Sequence, residues 1–183
     1  MSTKVIQTRD LFDQELATFA QTGMAAEIGV WRGDHAANLL KYWKGTLLLI
    51  DPWERQRHYR DTKNVPQKAF DQIYTDTHKR FRDNPRVGIY RAFSSVMAPA
   101  FYDDTFDWVY IDGNHGLESV CADLEAWWPK VRSGGVLSGH DYVGPEKPHH
   151  SVQIAVDRFC REKNITLHAV TADAWPSWMI LKP

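Results

Sequence analysis

The stretch that most constrains this chain runs Ala26-Glu27-Ile28-Gly29-Val30-Trp31-Arg32-Gly33-Asp34-His35. Residues 24–30 form a short apolar run between Gly23 and a glycine-bearing turn, and residues 34–42 carry helical spacing. A strand, a tight turn and a helix N-terminus therefore follow one another. Such a junction presents free backbone N–H groups and the positive end of a helix dipole to a ligand. Gly29 and Gly33 can take positive φ, or leave room where a side chain would block a ligand. The spacing is Glu-x-Gly-x-x-x-Gly, so the dinucleotide fingerprint Gly-x-Gly-x-x-Gly is absent.

Around this junction the apolar pattern alternates between two periods. Leu11, Phe12, Leu16 and Phe19 predict a first helix ending near Gly23, and Ala36, Leu39, Leu40 and Trp43 predict a second closed by Gly45. Ala69, Phe70, Ile73, Thr77 and Phe81 share a face of a helix started by Pro66. Further helices are expected after His115, with Val120, Leu124, Trp127, Trp128 and Val131 inward, and from Ser151. With the strand at 24–30, strands are predicted at 46–50, 87–92, 106–111, 136–138, 166–170 and 178–181. Strands alternating with helices imply an α/β fold, a Rossmann-like, doubly wound, mostly parallel sheet of seven strands. No helix separates the last two strands, which predicts an antiparallel hairpin at the sheet edge, open to pairing with a second copy as a homodimer.

Length and charge set the outer bounds. At 183 residues the chain is expected to be one domain, residues 1–183. A net charge of −1, with Lys and Arg scattered, supplies no field for a polyanion, so neither nucleic acid nor a membrane surface is expected as partner. Cys121 and Cys160 lie in helical patterns with no Cys-x-x-Cys pair, which predicts two reduced thiols. No apolar run approaches a membrane span or a signal h-region, and the expected location is cytoplasmic.

In an open α/β sheet, ligands bind beyond the carboxyl ends of the strands. Those ends carry Glu27 and Gly29, Asp51, Ser94, Asp112 to His115, and His140 to Tyr142. Polar and acidic groups thus gather at one edge of five successive strands. The chain resembles the class I S-adenosylmethionine-dependent methyltransferases, in particular a small bacterial branch. The resemblance is carried by Ile111-Asp112-Gly113-Asn114-His115, then Asp123-Leu124 and Trp127, Gly134-Gly135, and Gly139-His140-Asp141-Tyr142.

The resemblance implies S-adenosylmethionine as cofactor. Gly29 and Gly33 would lie against its methionine part, with Glu27 holding the turn or meeting the ammonium through water. Asp51 would accept the ribose hydroxyls, Ser94 would border the adenine, and Asp112 would stand beside the cofactor. Trp31 and Trp53 serve either to cover the ligand or to fill the core. Methyl transfer to a hydroxyl of a small molecule or saccharide is the expected reaction. Nitrogen or carbon methylation without metal and a non-catalytic cofactor-binding module are the alternatives. Asp112, His140 and Asp141 match a divalent-metal site for Mg²⁺ or Mn²⁺, with an imidazole where that pattern has oxygen. A metal-free version uses His115 or His140 as general base beside Asp112. His149 and His150 read as solvated loop residues. Residues 53–60 interleave cations and aromatics, which predicts a lid whose Arg57 and Arg60 grip an anionic or sugar-bearing acceptor.

Overall fold

In the computed structural model, which describes residues 3–19 and 23–183, the chain forms a sheet of eight strands flanked by helices. The order along the chain is β1 (Lys4–Ile6), α1 (Arg9–Phe19), β2 (Met24–Ile28), α2 (Asp34–Tyr42), β3 (Thr46–Asp51) and α3 (Gln67–Phe81). Then follow β4 (Val87–Arg91), α4 (Ser94–Met97) with a 3-10 turn (Ala98–Ala100), β5 (Phe106–Ile111) and α5 (Leu117–Trp127). β6 (Val131–Gly139), α6 (Ser151–Lys163), β7 (Leu167–Thr171) and β8 (Trp178–Leu181) complete it. The end of the first helix near Gly23 falls partly on residues 20–22, outside the described residues.

Across the sheet the strands run β1-β7-β8-β6-β5-β2-β3-β4. The chain leaves β2 toward β3 and β4, then returns to β5 on the other side of β2, so the order reverses between β2 and β5. That crevice is where a doubly wound sheet binds ligands. β8 is antiparallel to both β6 and β7, as the missing helix requires. The hairpin is not an edge, however. Lys4–Ile6 pairs in parallel with Ala169–Thr171 and covers the outer side of β7, which makes eight strands rather than seven. Three residues are too few for a sequence period to show, and β1 exists through this pairing alone. The expected start of the fifth strand also moves. β6 already pairs Val131 with Phe106 and resumes at Val136 with Trp108, and Gly134 bulges between them at φ 70°.

The alternation of side chains along the central strands divides the interior in two. Leu47 and Leu49 with Trp108 and Tyr110 join Phe12, Leu16, Leu39 and Phe70 under α1, α2 and α3. Leu48, Ile50 and Ile111 join Leu124, Trp127, Val156 and Phe159 under α5 and α6. Both thiols are free, Cys160 buried and Cys121 half-buried, and no helix of the described residues is long and apolar enough to cross a membrane.

Helix α1 is capped by Thr8, whose hydroxyl accepts from Leu11 N–H at 3.3 Å. It docks through Phe12, fully buried and edge-on to Tyr110. Replacement of Phe12 by Ala is expected to cost about 3–5 kcal/mol in urea unfolding through transfer and cavity terms together.

Candidate active site

A cavity of about 540 Å³ opens over the β2/β5 crevice. Its wall begins with the organising turn. Gly29 N–H donates to Ile50 O at 2.9 Å and Asp112 N–H to Ile28 O at 2.7 Å, which locks three strand ends together. Gly29 has φ 85°, and a Cβ there would stand 2.1 Å from the carbonyl oxygen of Asp112. Gly33 has φ 73°, and its Cβ would meet the Phe81 ring at 2.4 Å. Both glycines are thus required by packing within the protein, besides any ligand.

Asp51 binds the turn as well. One carboxylate oxygen accepts Val30 N–H at 2.8 Å and Trp31 N–H at 2.9 Å, and the other accepts Trp53 N–H at 2.6 Å. Trp31 and Trp53 have φ of 53° and 41°, a backbone region that costs a bulky residue on the order of 1–3 kcal/mol and persists only where the surroundings impose it. Burial pushes the Asp51 carboxyl up, against the pull of the three N–H groups. With three of its roughly four lone-pair sites occupied, it retains about one for a further donor.

The structure brings Glu27, Gly29, Trp31, Asp51, Ser94, Asp112 and His115 to the cavity wall. Trp53 is not in that wall. It is fully buried, stacked on Tyr74 at 5.1 Å, and its indole N–H donates to Trp31 O at 2.8 Å, so it fills the core beneath the loop. Gly33, His140 and Asp141 also stand behind the lining. In the loop expected to act as a lid, Arg57 and Arg60 are exposed and lie outside the cavity lining, while Gln56, Tyr59, Asp61 and Asn64 line it. Asn64 fixes that loop by donating to the carbonyls of Gln56 and Tyr59, each at 2.6 Å.

Behind Asp112 lies a set of charges around one imidazole. His115 Nε2 is 3.0 Å from Asp141 and 3.4 Å from Asp112, and its Nδ1 faces Tyr59 Oη at 3.1 Å and Asp61 at 3.9 Å. Burial opposes charge on this ring, yet Asp112, Asp141 and Asp61 outweigh it and raise its pKa. Burial likewise opposes charge on Asp112, but the hydrogen bond from His115 and the charges of His140 and Arg9 hold its carboxyl well below the usual range. The grouping that could hold a metal is Asp112, His115 and Asp141, with a second at Asp61, His115 and His149. His140 stands beside the first set, its Nδ1 3.3 Å from Asp141 and 3.9 Å from Asp112, and does not complete it. His149 is half-buried, its ring 4.5 Å from that of His115, rather than solvated.

Residues missed by the sequence reading complete the site. Arg9 reaches the cavity from α1 and Asp123 from α5. Ser94 Oγ donates to Asp123 and accepts Trp127 Nε1–H at 2.8 Å, tying the adenine end of the expected ligand to α5. The acidic helix motif contained Asp123, but its spacing did not say that it would face Ser94.

Two outcomes follow from these carboxylates. Asp51→Asn sets an amide NH₂ against a backbone N–H and should lower stability by about 1–3 kcal/mol in urea unfolding. Burial pushes Asp123 up from 3.8 to about 6, beyond what the Ser94 hydrogen bond pulls back. With its folded pKa raised, its contribution is fully present below about pH 4 and lost as pH rises through about 6. Asp123→Asn should therefore melt higher than wild type at about pH 7.5, by on the order of 1–3 kcal/mol, and gain nothing at about pH 4.

Residues 26–142 match the family model described as "Methyltransferase domain". No curated protein matches the sequence. Among solved structures, the O-methyltransferase NovP superposes with a TM-score of 0.68 at 16% identity, covering 95% of this chain and 79% of that one. A Clostridium thermocellum protein, provisionally an rRNA methylase, gives 0.68 at 14% identity with both chains covered completely, 100% each. The methyltransferase CalH, solved with S-adenosylhomocysteine (SAH), gives 0.61 at 11% identity, covering 95% of this chain and 55% of that one. At these identities the structural likeness speaks for the fold, and the match over 26–142 for the family: the chain belongs to the methyltransferase-domain family, class I S-adenosylmethionine-dependent methyltransferases.

Proposed function

We propose that this protein transfers the methyl group of S-adenosylmethionine to a hydroxyl of a small molecule or saccharide. The observation that carries the reading is the juxtaposition of Asp112 and His115, which line the cavity, with Asp141 behind them. Two carboxylates held side by side in a half-buried site require a positive charge between them. A protonated His115 or a bound cation meets that requirement. Either one also favours an acceptor oxygen that becomes anionic as its proton leaves.

Within this reading each residue has a definite task. The turn from Gly29 to Gly33 and the carboxylates of Glu27, Asp51 and Asp112 bind and orient the cofactor, with Trp31 covering it and Ser94 and Asp123 facing its adenine. The leaving thioether is neutral and needs no acid. Alignment of acceptor oxygen and methyl carbon in a dry site is worth roughly 7–11 kcal/mol, more than the 10²–10⁴-fold of a positioned base. The loop at Gln56, Tyr59 and Asn64 excludes water over the cavity, and Tyr59 orients His115 through Nδ1. The acceptor proton passes to His115 in its neutral form, and Asp112 and Asp141 stabilise the imidazolium that results.

Two carboxylates and an imidazole form a donor set suited to Mn²⁺, Fe²⁺ or Zn²⁺ more than to Mg²⁺. Asp112, His115 and Asp141 would hold such an ion. When bound, it lowers the pKa of the acceptor hydroxyl.

The test is transfer of labelled methyl from S-adenosylmethionine to a panel of hydroxyl acceptors, before and after chelation. Activity that is lost on chelation, returns with Mn²⁺ and falls about 10²–10⁴-fold in Asp112→Asn is the expected result. A Mn²⁺-dependent rise in melting temperature, absent in Asp141→Asn, would accompany it. Labelling of amine acceptors alone would overturn the hydroxyl assignment.

A further inference from the structure

The inner floor of the cavity holds two polar groups that the protein leaves incompletely satisfied. Glu27 is 1% exposed. Its Oε1 meets His35 Nδ1 at 3.3 Å, and its Oε2 is buried with no partner. Glu27 cannot turn away, because His35 is pinned from the other side by Asp13 of α1 at 3.1 Å, and Asp13 also accepts Asn38 Nδ2 at 2.6 Å. Burial opposes charge on His35, but Glu27 and Asp13 outweigh it and raise its pKa.

Arg9 stands across the same floor. Its Nη2 donates to Tyr110 Oη at 2.9 Å and lies 3.5 Å from Asp112, while its Nε is buried with no partner. The side chain is 31% exposed, and it lines the cavity. Tyr110 Oη is itself held at 2.8 Å from Ser177 Oγ, so the guanidinium is anchored on a rigid support. Arg32 and Lys63, which also line the cavity, are exposed, Arg32 over the Trp31 ring at 5.7 Å. Arg9 is the anchored guanidinium in a wall whose acids are Glu27, Asp34, Asp51, Glu54, Asp61, Asp112 and Asp123.

An open acceptor on Glu27 and an anchored guanidinium in Arg9 are complementary to one chemical object, the zwitterionic head of an α-amino acid. We propose that Arg9 binds the α-carboxylate of S-adenosylmethionine while Glu27 accepts from its α-ammonium. Helix α1 thereby closes the amino-acid end of the cofactor site. It lies outside the segment that matches the family model, 26–142. The inference rests on the methyltransferase reading and sharpens it: the carboxylate of the cofactor is read by a residue that the family segment does not contain. A guanidinium paired with a carboxylate forms charge-assisted, frequently bidentate hydrogen bonds, and an exposed lysine does not replace that geometry.

The experiment compares binding of S-adenosylmethionine with that of its decarboxylated analogue, which keeps the sulfonium and the amine, by calorimetry on wild type, Arg9→Gln and Arg9→Lys. Wild type is expected to prefer the intact cofactor by about 10–100-fold, the range of a hydrogen bond to a charged group. Arg9→Gln should abolish that preference by weakening the intact cofactor alone, and Arg9→Lys should retain part of it. Equal weakening of both molecules in Arg9→Gln would mean that Arg9 only supports Tyr110, and would overturn the proposal. A wild type that does not distinguish the two molecules would overturn it whether or not Arg9→Gln folds. Binding of neither molecule by wild type would remove the methyltransferase reading itself, an outcome separate from the loss of preference.

Discussion

The site depends on one carboxylate that serves the backbone. Asp51, at the end of β3, accepts three main-chain N–H groups from two different turns. A carboxylate with three short N–H donors can hold both turns in conformations that they would not adopt alone. The strained Trp31 and Trp53 are the visible consequence. Because Trp53 is turned inward and caps Trp31 O with its indole N–H, the turn after β2 is supported from beneath. The mouth of the cavity is therefore rigid where the methionine part of the cofactor would pass.

The second constraint is electrostatic. Two clusters of buried or half-buried acids flank the crevice, Asp13 with Glu27 around His35, and Asp112 with Asp141 around His115. In each, an imidazole compensates two carboxylates that would otherwise repel one another. Both rings line the cavity and are equally exposed, and the clusters differ in what holds them: His35 lies between Glu27 of β2 and Asp13 of α1, whereas His115 meets Asp112, Asp141 and Tyr59.

Helix α1 connects these features. Phe12 and Leu16 bury it on the sheet, Asp13 fixes His35 and hence Glu27, and Arg9 reaches Tyr110 and Asp112. One helical turn separates Arg9 from Asp13, so both face the same way. Packing of helix α1 is thus coupled to the geometry of the cavity wall, and β1, immediately before it, ties the segment to β7 at the far edge of the sheet.

The sequence by itself determined the alternation of strands and helices, the glycine-bearing turn after β2, and the acidic residues at strand ends. These are local signals, since period, turn chemistry and strand length are written within about ten residues. They were sufficient to place Glu27, Asp51, Ser94, Asp112 and His115 at one edge. The tertiary structure decided what depends on residues far apart in sequence. Lys4–Ile6 became a strand only through β7, and Trp53 went to the core only because Asp51 turned its backbone. His115 and His140 both came within reach of Asp112 and Asp141 because β5 and β6 lie side by side. Arg9, a hundred and one residues before Tyr110, entered the site through packing of α1. Hydrophobic periodicity records which face of an element is buried, but not which partner it meets, and the partners define this site.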